Sequence, residues 1–346
     1  MKENRETTIY DIARELGISP STVSRALKDH PGIKKETQRR VREAAKKMGY
    51  RHNKFASSLR LNKTHTLGVI VPKLNSYFMA TAIAGIQNVA NKYGYSIIIS
   101  QSQENEKKEA EQVVTLYNSR VDGLLVSLAY NTNSLNHFEL LLNKGIPLVF
   151  FDRVFECKGC TRVVIDNNKA GYEIVSHLIS QGCRRIMYVG GNLLRNVYTE
   201  RLNGYKRALE DNGLPFDDSL VIINNLSEKD GEDVGKQILK MKKRPDAVFA
   251  ANDTTAVSVI MTLKQAGLSV PEDIAVAGFN NEPISRIVQP NLTTVDYPSY
   301  EIGELATETL IKKLNSEKYA NPLIVILDHK LIIRESTLRK NSFKDE

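Results

Sequence analysis

The sequence predicts an all-α amino-terminal head carrying a helix-turn-helix, followed by a larger α/β region built on parallel sheets. Three observations carry this. Residues 1–60 show helical periodicity only. After residue 66, apolar strand-like runs alternate with amphipathic segments of helical period. A chain of 346 residues is also too long for one compact core.

In the head, Ile9, Ile12, Ala13 and Leu16 fall at i, i+3, i+4 and i+7 and give a first helix one apolar stripe. Thr8 and Asp11 are spaced as a capping box at its start, and Gly17 ends it. After a three-residue turn, Ser19 can cap a second helix whose first position is Pro20, where a missing N–H costs nothing. Val23, Ala26 and Leu27 form its buried side. A third helix from about Lys35 to Met48 turns Val41, Ala44, Ala45 and Met48 inward and stops at Gly49. The first two helices make the helix-turn-helix.

Charge indicates what this head meets. The net charge of +8 arises from 48 basic and 40 acidic residues. Residues 1–60 hold 15 basic and 7 acidic residues, which leaves 33 of each in the remainder. An excess confined to one small segment suits a polyanion. The second helix of such a unit enters the DNA major groove amino end first, which aims Pro20, Ser21 and Arg25 at base edges. Arg25 is the expected guanine reader, because its fork fits O6 and N7 together. Thr8, Ser19, Thr22, Ser24, Lys34 and Thr37 are expected phosphate contacts, which set register without reading sequence. Lys28, His30 and Tyr50 complete the expected DNA-contacting set of the head.

Beyond the head, the runs TLGVIV, YSIIIS, DGLLVS, PLVFFD, RIMYVG, AVFAAND and IAVAGF read as strands of parallel sheets with helices on both faces. Ligands of open α/β sheets sit beyond the carboxyl ends of strands. Those ends carry Asp152 and Arg153, Asp166, Asn252 and Asp253, and Asn280. No apolar run approaches the roughly 18 residues of a membrane span, and no secretory signal is legible, so a cytoplasmic protein is expected. Cys157, Cys160 and Cys183 form no disulfide framework, and the C-x-x-C of the first two lacks the second ligand pair of a zinc site. Cys157 and Cys160 read as two loop thiols, with no metal. There is no P-loop or dinucleotide fingerprint, and no nucleophile, base and oxyanion set, so neither an enzyme nor a cofactor is expected.

The stretch TIYDIARELGISPSTVSRALKDHPGIKKETQRRVREAAKKMGYRHNKFASSLR resembles the DNA-binding head of the lactose and galactose repressor family. The resemblance continues through YFMATAIAGI, VIDNNKAGY, ERLNGYKRAL, VPEDIAVAGFNN, LTTVDYP and LIIREST, nearly the whole chain. It implies a helix-turn-helix domain over 1–52, a hinge helix and linker over 53–65, and an effector-binding and dimerisation domain over 66–340. The hinge from Asn53 to Leu59 would pack in the minor groove, with Asn53, Lys54 and Ala56 at the DNA and Leu59 as the wedge. A helix that short forms only against a partner. His52 stands where many members carry proline.

For the larger region the resemblance is to type I periplasmic sugar-binding proteins: two lobes, about 66–166 with 296–328 and 167–295 with 329–340, around a ligand cleft. By resemblance the cleft takes Asn75, Tyr77, Phe78, Ser127, Asp152, Arg153 and Asp166 from the first lobe. The second supplies Arg195, Arg201, Leu226, Asn252, Asp253 and Asn280. Arg201, in ERLNGY, would hold a ligand hydroxyl or carboxylate with two donors. Asn280 replaces a frequent aspartate and Leu226 a frequent aromatic, so a less acidic, less aromatic cleft is expected, suited to a sugar or sugar derivative. With Arg153, Arg195 and Arg201 facing one carboxylate fewer, a phosphorylated or acidic sugar fits this reading. The implied partners are a near-palindromic operator, the effector and a second copy in a homodimer, with repression as the expected role. A sugar transport protein would share the sensor but not the basic head.

Overall fold

The computed structural model describes residues 7–50, 63–155, 160–315 and 321–339. The chain divides into two compact units between Thr64 and His65. The hinge positions Asn53, Lys54, Ala56 and Leu59, and Cys157, lie outside the described residues.

The head consists of α1 (Ile9–Leu16), α2 (Pro20–Leu27) and α3 (Lys35–Lys47). Local chemistry sets each boundary. Thr8 Oγ1 accepts the Asp11 N–H while Asp11 Oδ2 accepts the Thr8 N–H at 2.9 Å, closing the capping box. Gly17 ends α1 at φ +64°, a conformation glycine adopts without steric cost. Ser19 Oγ accepts the Thr22 N–H at 3.2 Å to start α2. Ile12, Ala13, Val23, Ala26, Val41 and Ala45 form the core that joins the three helices.

The second unit contains two six-stranded sheets. The first comprises β1 (Thr66–Val71), β2 (Ser96–Gln101), β3 (Gly123–Val126), β4 (Leu148–Phe151), β5 (Arg162–Ile165) and β11 (Ile324–Leu327). Helices α4 (Tyr77–Lys92), α5 (Glu106–Asn118), the short α6 (Glu139–Leu142) and α11 (Ser299–Asn315) belong to it. The second comprises β6 (Ile186–Gly190), β7 (Val221–Ile223), β8 (Ala247–Ala250), β9 (Ala275–Phe279), β10 (Thr293–Asp296) and β12 (Lys330–Ile332). Its helices are α7 (Asn167–Ser180), α8 (Asn196–Asp211), α9 (Glu228–Lys240) and α10 (Asp253–Gln265).

Strand order is 2-1-3-4-5-11 in one sheet and 7-6-8-9-10-12 in the other, parallel throughout except for the antiparallel β10–β12 pair. The chain moves to the second sheet after β5, returns after β10 and crosses again after β11. The sheets thus share one topology, and in each the order reverses beside the first strand, β1 or β6. That reversal opens a crevice at the strands' carboxyl ends. Residues 67–71 of β1 are buried without interruption, because helices cover both faces of the sheet.

Both lobes fasten a helix pair by glycine. A Cβ on Gly85 of α4 would meet Tyr300 O at 2.1 Å, and one on Gly303 of α11 would meet Ala82 O at 2.0 Å. Correspondingly, Gly171 of α7 would meet Arg201 O at 2.5 Å, and Gly204 of α8 would meet Asn168 O at 2.1 Å. The helix backbones therefore touch directly, and the second contact sets the position of Arg201.

No helix among the described residues is long and apolar enough to cross a membrane. Cys183 is a free, buried thiol. The reading of Cys160 as a loop thiol is corrected, since it is disulfide-bonded.

Candidate functional site

The head presents one polar helix face. Ser21 and Arg25 of α2 and Lys28, its C-cap, are spaced i, i+4 and i+7 and all are exposed, opposite buried Val23 and Ala26. At the helix start, Ser19 Oγ lies 2.8 Å from both Ser21 Oγ and Thr22 Oγ1, beside Pro20. Hydroxyls are gathered at the amino end of α2, where the helix dipole favours an anion, although Pro20 has no N–H and the Thr22 N–H is taken by Ser19 Oγ. Ser24 and Thr37 are half-buried, and Lys34 is exposed at the start of α3. His30 is exposed and its Nδ1 accepts the Gly32 N–H at 3.0 Å. Tyr50 is half-buried against the head's core, and burial pushes its hydroxyl pKa up. Thr8 differs from its expected role, because its hydroxyl also donates to Asp11 Oδ2 at 2.6 Å and belongs to the cap.

Charge is unevenly available. Arg39 pairs with Glu36 and Glu43, and Arg42 with Asp29. Arg25, Lys28 and Lys34 form no ion pair among the described residues. Arg14, Lys35, Arg40, Lys46 and Lys47 likewise form none, so the cations without an ion pair among the described residues are spread over the head, with Arg25 and Lys28 on the face that α2 presents.

In the second unit, a cleft of about 570 Å³ lies between the carboxyl ends of the two sheets. Of the expected residues it gathers Asn75, Tyr77, Phe78, Asp152 and Arg153 from the first lobe and Arg201, Leu226, Asn252 and Asn280 from the second. Arg201 is almost fully buried. Its Nε donates to Asn167 Oδ1 and its Nη1 to Ala251 O, both at 2.9 Å, and its Cζ stands 3.5 Å from the centre of the Phe279 ring. Asn252 caps α10 by accepting the Thr255 N–H and donates to Leu226 O at 2.9 Å. Burial raises the carboxyl pKa of Asp152, against the pull of Arg153 and Arg201.

Four expected residues do not line the cleft. Ser127 is buried behind Asp152 and donates to its Oδ2 at 3.2 Å. Asp166 is exposed and caps α7, accepting the Lys169 N–H at 2.8 Å. Asp253 is buried, accepting the Glu282 N–H at 2.7 Å and the Thr294 hydroxyl at 2.6 Å. Arg195 is buried and donates through Nη2 to Thr132 O of the first lobe. Strand ends need caps and turn closures as well as ligand contacts, and Asp166 and Asp253 serve the former, while Ser127 braces Asp152 and Arg195 reaches the first lobe.

The cleft also contains residues the sequence reading missed: Glu104, Tyr130, Tyr198 and Glu282. They add two carboxylates and two aromatic rings that the expected set did not include. Glu104 lies just past β2, an end that the strand-end rule could have included. Burial raises the Glu282 carboxyl pKa. Arg153 Nη1 donates to both Glu104 oxygens, at 3.0 and 2.9 Å, so it is not a free anion clamp. Arg195 does not face the cleft. The grouping of Arg153, Arg195 and Arg201 behind an acidic effector is therefore not assembled.

Backbone conformation marks the same place. Glu104, Asp152, Leu226 and Asn280 all have positive φ, +59°, +58°, +56° and +106°. Such conformations cost a non-glycine residue about 1–3 kcal/mol and concentrate at functional sites. The amino end of α8 bridges the lobes. Asn196 accepts the Val154 N–H at 2.9 Å and donates to Asp152 O at 3.2 Å, and the Tyr198 hydroxyl lies 3.1 Å from that of Tyr130.

Comparison with known proteins agrees with both units. The family model described as bacterial regulatory proteins, lacI family, matches residues 8–53, and that of a periplasmic binding protein-like domain matches 175–337. Catabolite control protein A of Priestia megaterium is 35% identical over 95% of this chain and 99% of its own. The structure titled transcriptional regulator CelR–cellobiose complex superposes with a TM-score of 0.73 at 25% identity, covering 96% of this chain and 100% of that one. The lac repressor dimer bound to operator and an anti-inducer shares the fold, with a TM-score of 0.87 at 23% identity and coverage of 96% and 100%. The chain belongs to the lacI family of bacterial regulatory proteins.

Proposed function

We propose that the chain is a cytoplasmic transcriptional repressor that binds a near-palindromic DNA operator as a homodimer and is controlled by a sugar or sugar derivative held in the cleft. The observation that carries this reading is the exposed row of Ser21 and Arg25 on α2 with Lys28 at its C-cap, opposite the head's core, the two cations being free of ion pairs among the described residues. A two-fold dimer reads two half-sites in opposite orientation, hence the palindrome. The cleft supports a saccharide through its asparagines, its paired charges and its tyrosines, which supply directional donors and acceptors beside apolar ring faces. A relative of this fold is titled as a cellobiose complex.

Effector and operator are coupled through one equilibrium, so each changes the affinity of the other by the same factor. A coupling of about 1–3 kcal/mol gives roughly 5- to 150-fold control. The test is selection of a bound duplex from a random pool by the full chain, followed by thermal unfolding against a sugar panel. A bound sugar raises the melting temperature by mass action. Recovery of no palindromic duplex would refute the operator reading, and the absence of any stabilising sugar would refute the effector class.

A further inference from the structure

We propose that Glu104 sets the charge preference of the cleft: it holds Arg153 as a neutral pair, so that the site accepts an uncharged ligand and rejects an anionic one. The proposal rests on the effector reading above and deepens it by naming the ligand's charge and the residue that selects for it.

Arg153 stands on the cleft wall at the carboxyl end of β4. Both Nη1 donors go to Glu104, and Nη2 donates to the Tyr198 hydroxyl at 3.0 Å. Its Cζ lies 4.3 Å from the centre of the Tyr130 ring. The two charged side chains are only 12% and 13% exposed, so solvent screens them weakly. An arginine placed this way without its partner would be a ready receptor for phosphate or carboxylate, which match its planar fork.

The carboxylate is held in place by more than the arginine. Glu104 Oε2 also accepts the Tyr130 N–H at 3.0 Å, and the residue keeps a left-handed backbone, φ +59°, to reach the wall. The remaining charges lining the cleft balance as well: Lys73 and Arg201 against Asp152 and Glu282. An anionic ligand would have to displace Glu104 from Arg153 and leave a desolvated carboxylate without its cation, which is strongly unfavourable. An uncharged polyol meets donors and acceptors already in place and displaces no ion pair.

The test compares the full-length protein with Glu104→Gln, a variant that keeps an acceptor for Tyr130 and loses the charge. Thermal unfolding is followed in sodium sulfate against sodium chloride at equal ionic strength, and binding of glucose and glucose 6-phosphate is measured by calorimetry. The wild type is expected to show no larger a sulfate shift than the double variant Glu104→Gln with Arg153→Gln, a common background set by the general stabilising effect of sulfate and by the basic head. Glu104→Gln is expected to show a saturable shift beyond that background and to bind the phosphate ester at least about tenfold more tightly than the wild type does, the worth of one new charged hydrogen bond. Adding Arg153→Gln should abolish both gains. A Glu104→Gln protein without a sulfate response beyond the background, or a wild type with an equal one, overturns the proposal. If no sugar binds either protein while sulfate still separates them, the sugar reading fails and the charge filter stands. Should Glu104→Gln not fold, the wild type decides: equal or tighter binding of the phosphate ester than of glucose would overturn the proposal, and weaker binding of the ester supports it.

Discussion

Replacing Gly171 by alanine probes how the fold delivers Arg201 to the cleft. The added Cβ would stand 2.5 Å from Arg201 O and 3.0 Å from Arg201 Cα, where ordinary contact begins near 3.4 Å. Both obstacles are backbone, so no side chain can swing aside, and α7 and α8 must separate by roughly 1 Å. Overpacking of this kind costs about 1–3 kcal/mol, while alanine in place of glycine returns up to about 1 kcal/mol of helix propensity. The net loss is on the order of 1–2 kcal/mol, a melting shift of roughly 2–8 °C for a unit of this size. The separation also pulls Arg201 from Asn167 Oδ1 and Ala251 O, and the same variant should bind effector about tenfold more weakly. Gly303→Ala is the control. It meets Ala82 O at 2.0 Å in the other lobe, one turn along α4 from Tyr77 and Phe78, so it should cost at least as much stability but, with the partners of Arg201 kept, lose less effector affinity than Gly171→Ala. Differential scanning calorimetry and titration calorimetry measure the two quantities. If Gly171→Ala and Gly303→Ala lose effector affinity equally, the idea that the α7–α8 contact positions Arg201 is wrong.

Two further outcomes follow from the head and from a buried acid. Arg25→Ala should erase discrimination between operator and random duplex, about 1–3 kcal/mol per lost base contact, while leaving salt-sensitive nonspecific binding in a gel shift; undiminished discrimination would count against the docking of α2. Asp253 is buried at the start of α10, and its pKa is pushed up to about 8 by desolvation. The folded state then keeps a proton that the unfolded chain releases, so this residue's contribution is complete below about pH 4 and is lost as the pH rises through 8. Asp253→Asn keeps the neutral form. Its melting temperature should match the wild type near pH 4 and exceed it increasingly toward pH 8, and parallel curves would contradict this assignment.

The head was legible because its signals are local. Thr8 with Asp11, Gly17, and Ser19 with Pro20 each fix a boundary within four residues, and one apolar stripe per helix defines the core. The long central strands were legible for a related reason, since covered faces demand unbroken apolar runs. The strands not read from pattern, β5, β7, β10, β11 and β12, span three or four residues, and unlike the equally short β3, β4 and β8 none is buried over its whole length, so no unbroken apolar run marks them. The cleft was legible only in part. A polar residue at a strand end can cap a helix, close a turn or face a ligand, and spacing does not separate these uses. Asp166 and Asp253 were therefore grouped with Asp152, although their oxygens are committed to backbone N–H groups.

The three residues Arg195, Asn196 and Tyr198 expose a deeper reason for that limit. Arg195 is the N-cap of α8 and the other two belong to its first turn, in the second lobe, yet each reaches the first lobe: Thr132 O, the backbone at Asp152 and Val154, and the Tyr130–Arg153 pair. Their partners are 42 to 68 residues distant in sequence, so nothing local announces them. One turn further along the same helix stands Arg201, fixed from behind by the close approach of Gly171. A single helix thus carries a cleft arginine and the contacts that join the lobes, and a ligand that draws on Arg201 also acts on the element that holds the two lobes together. That arrangement gives effector occupancy a route to lobe geometry, because one rigid element spans both.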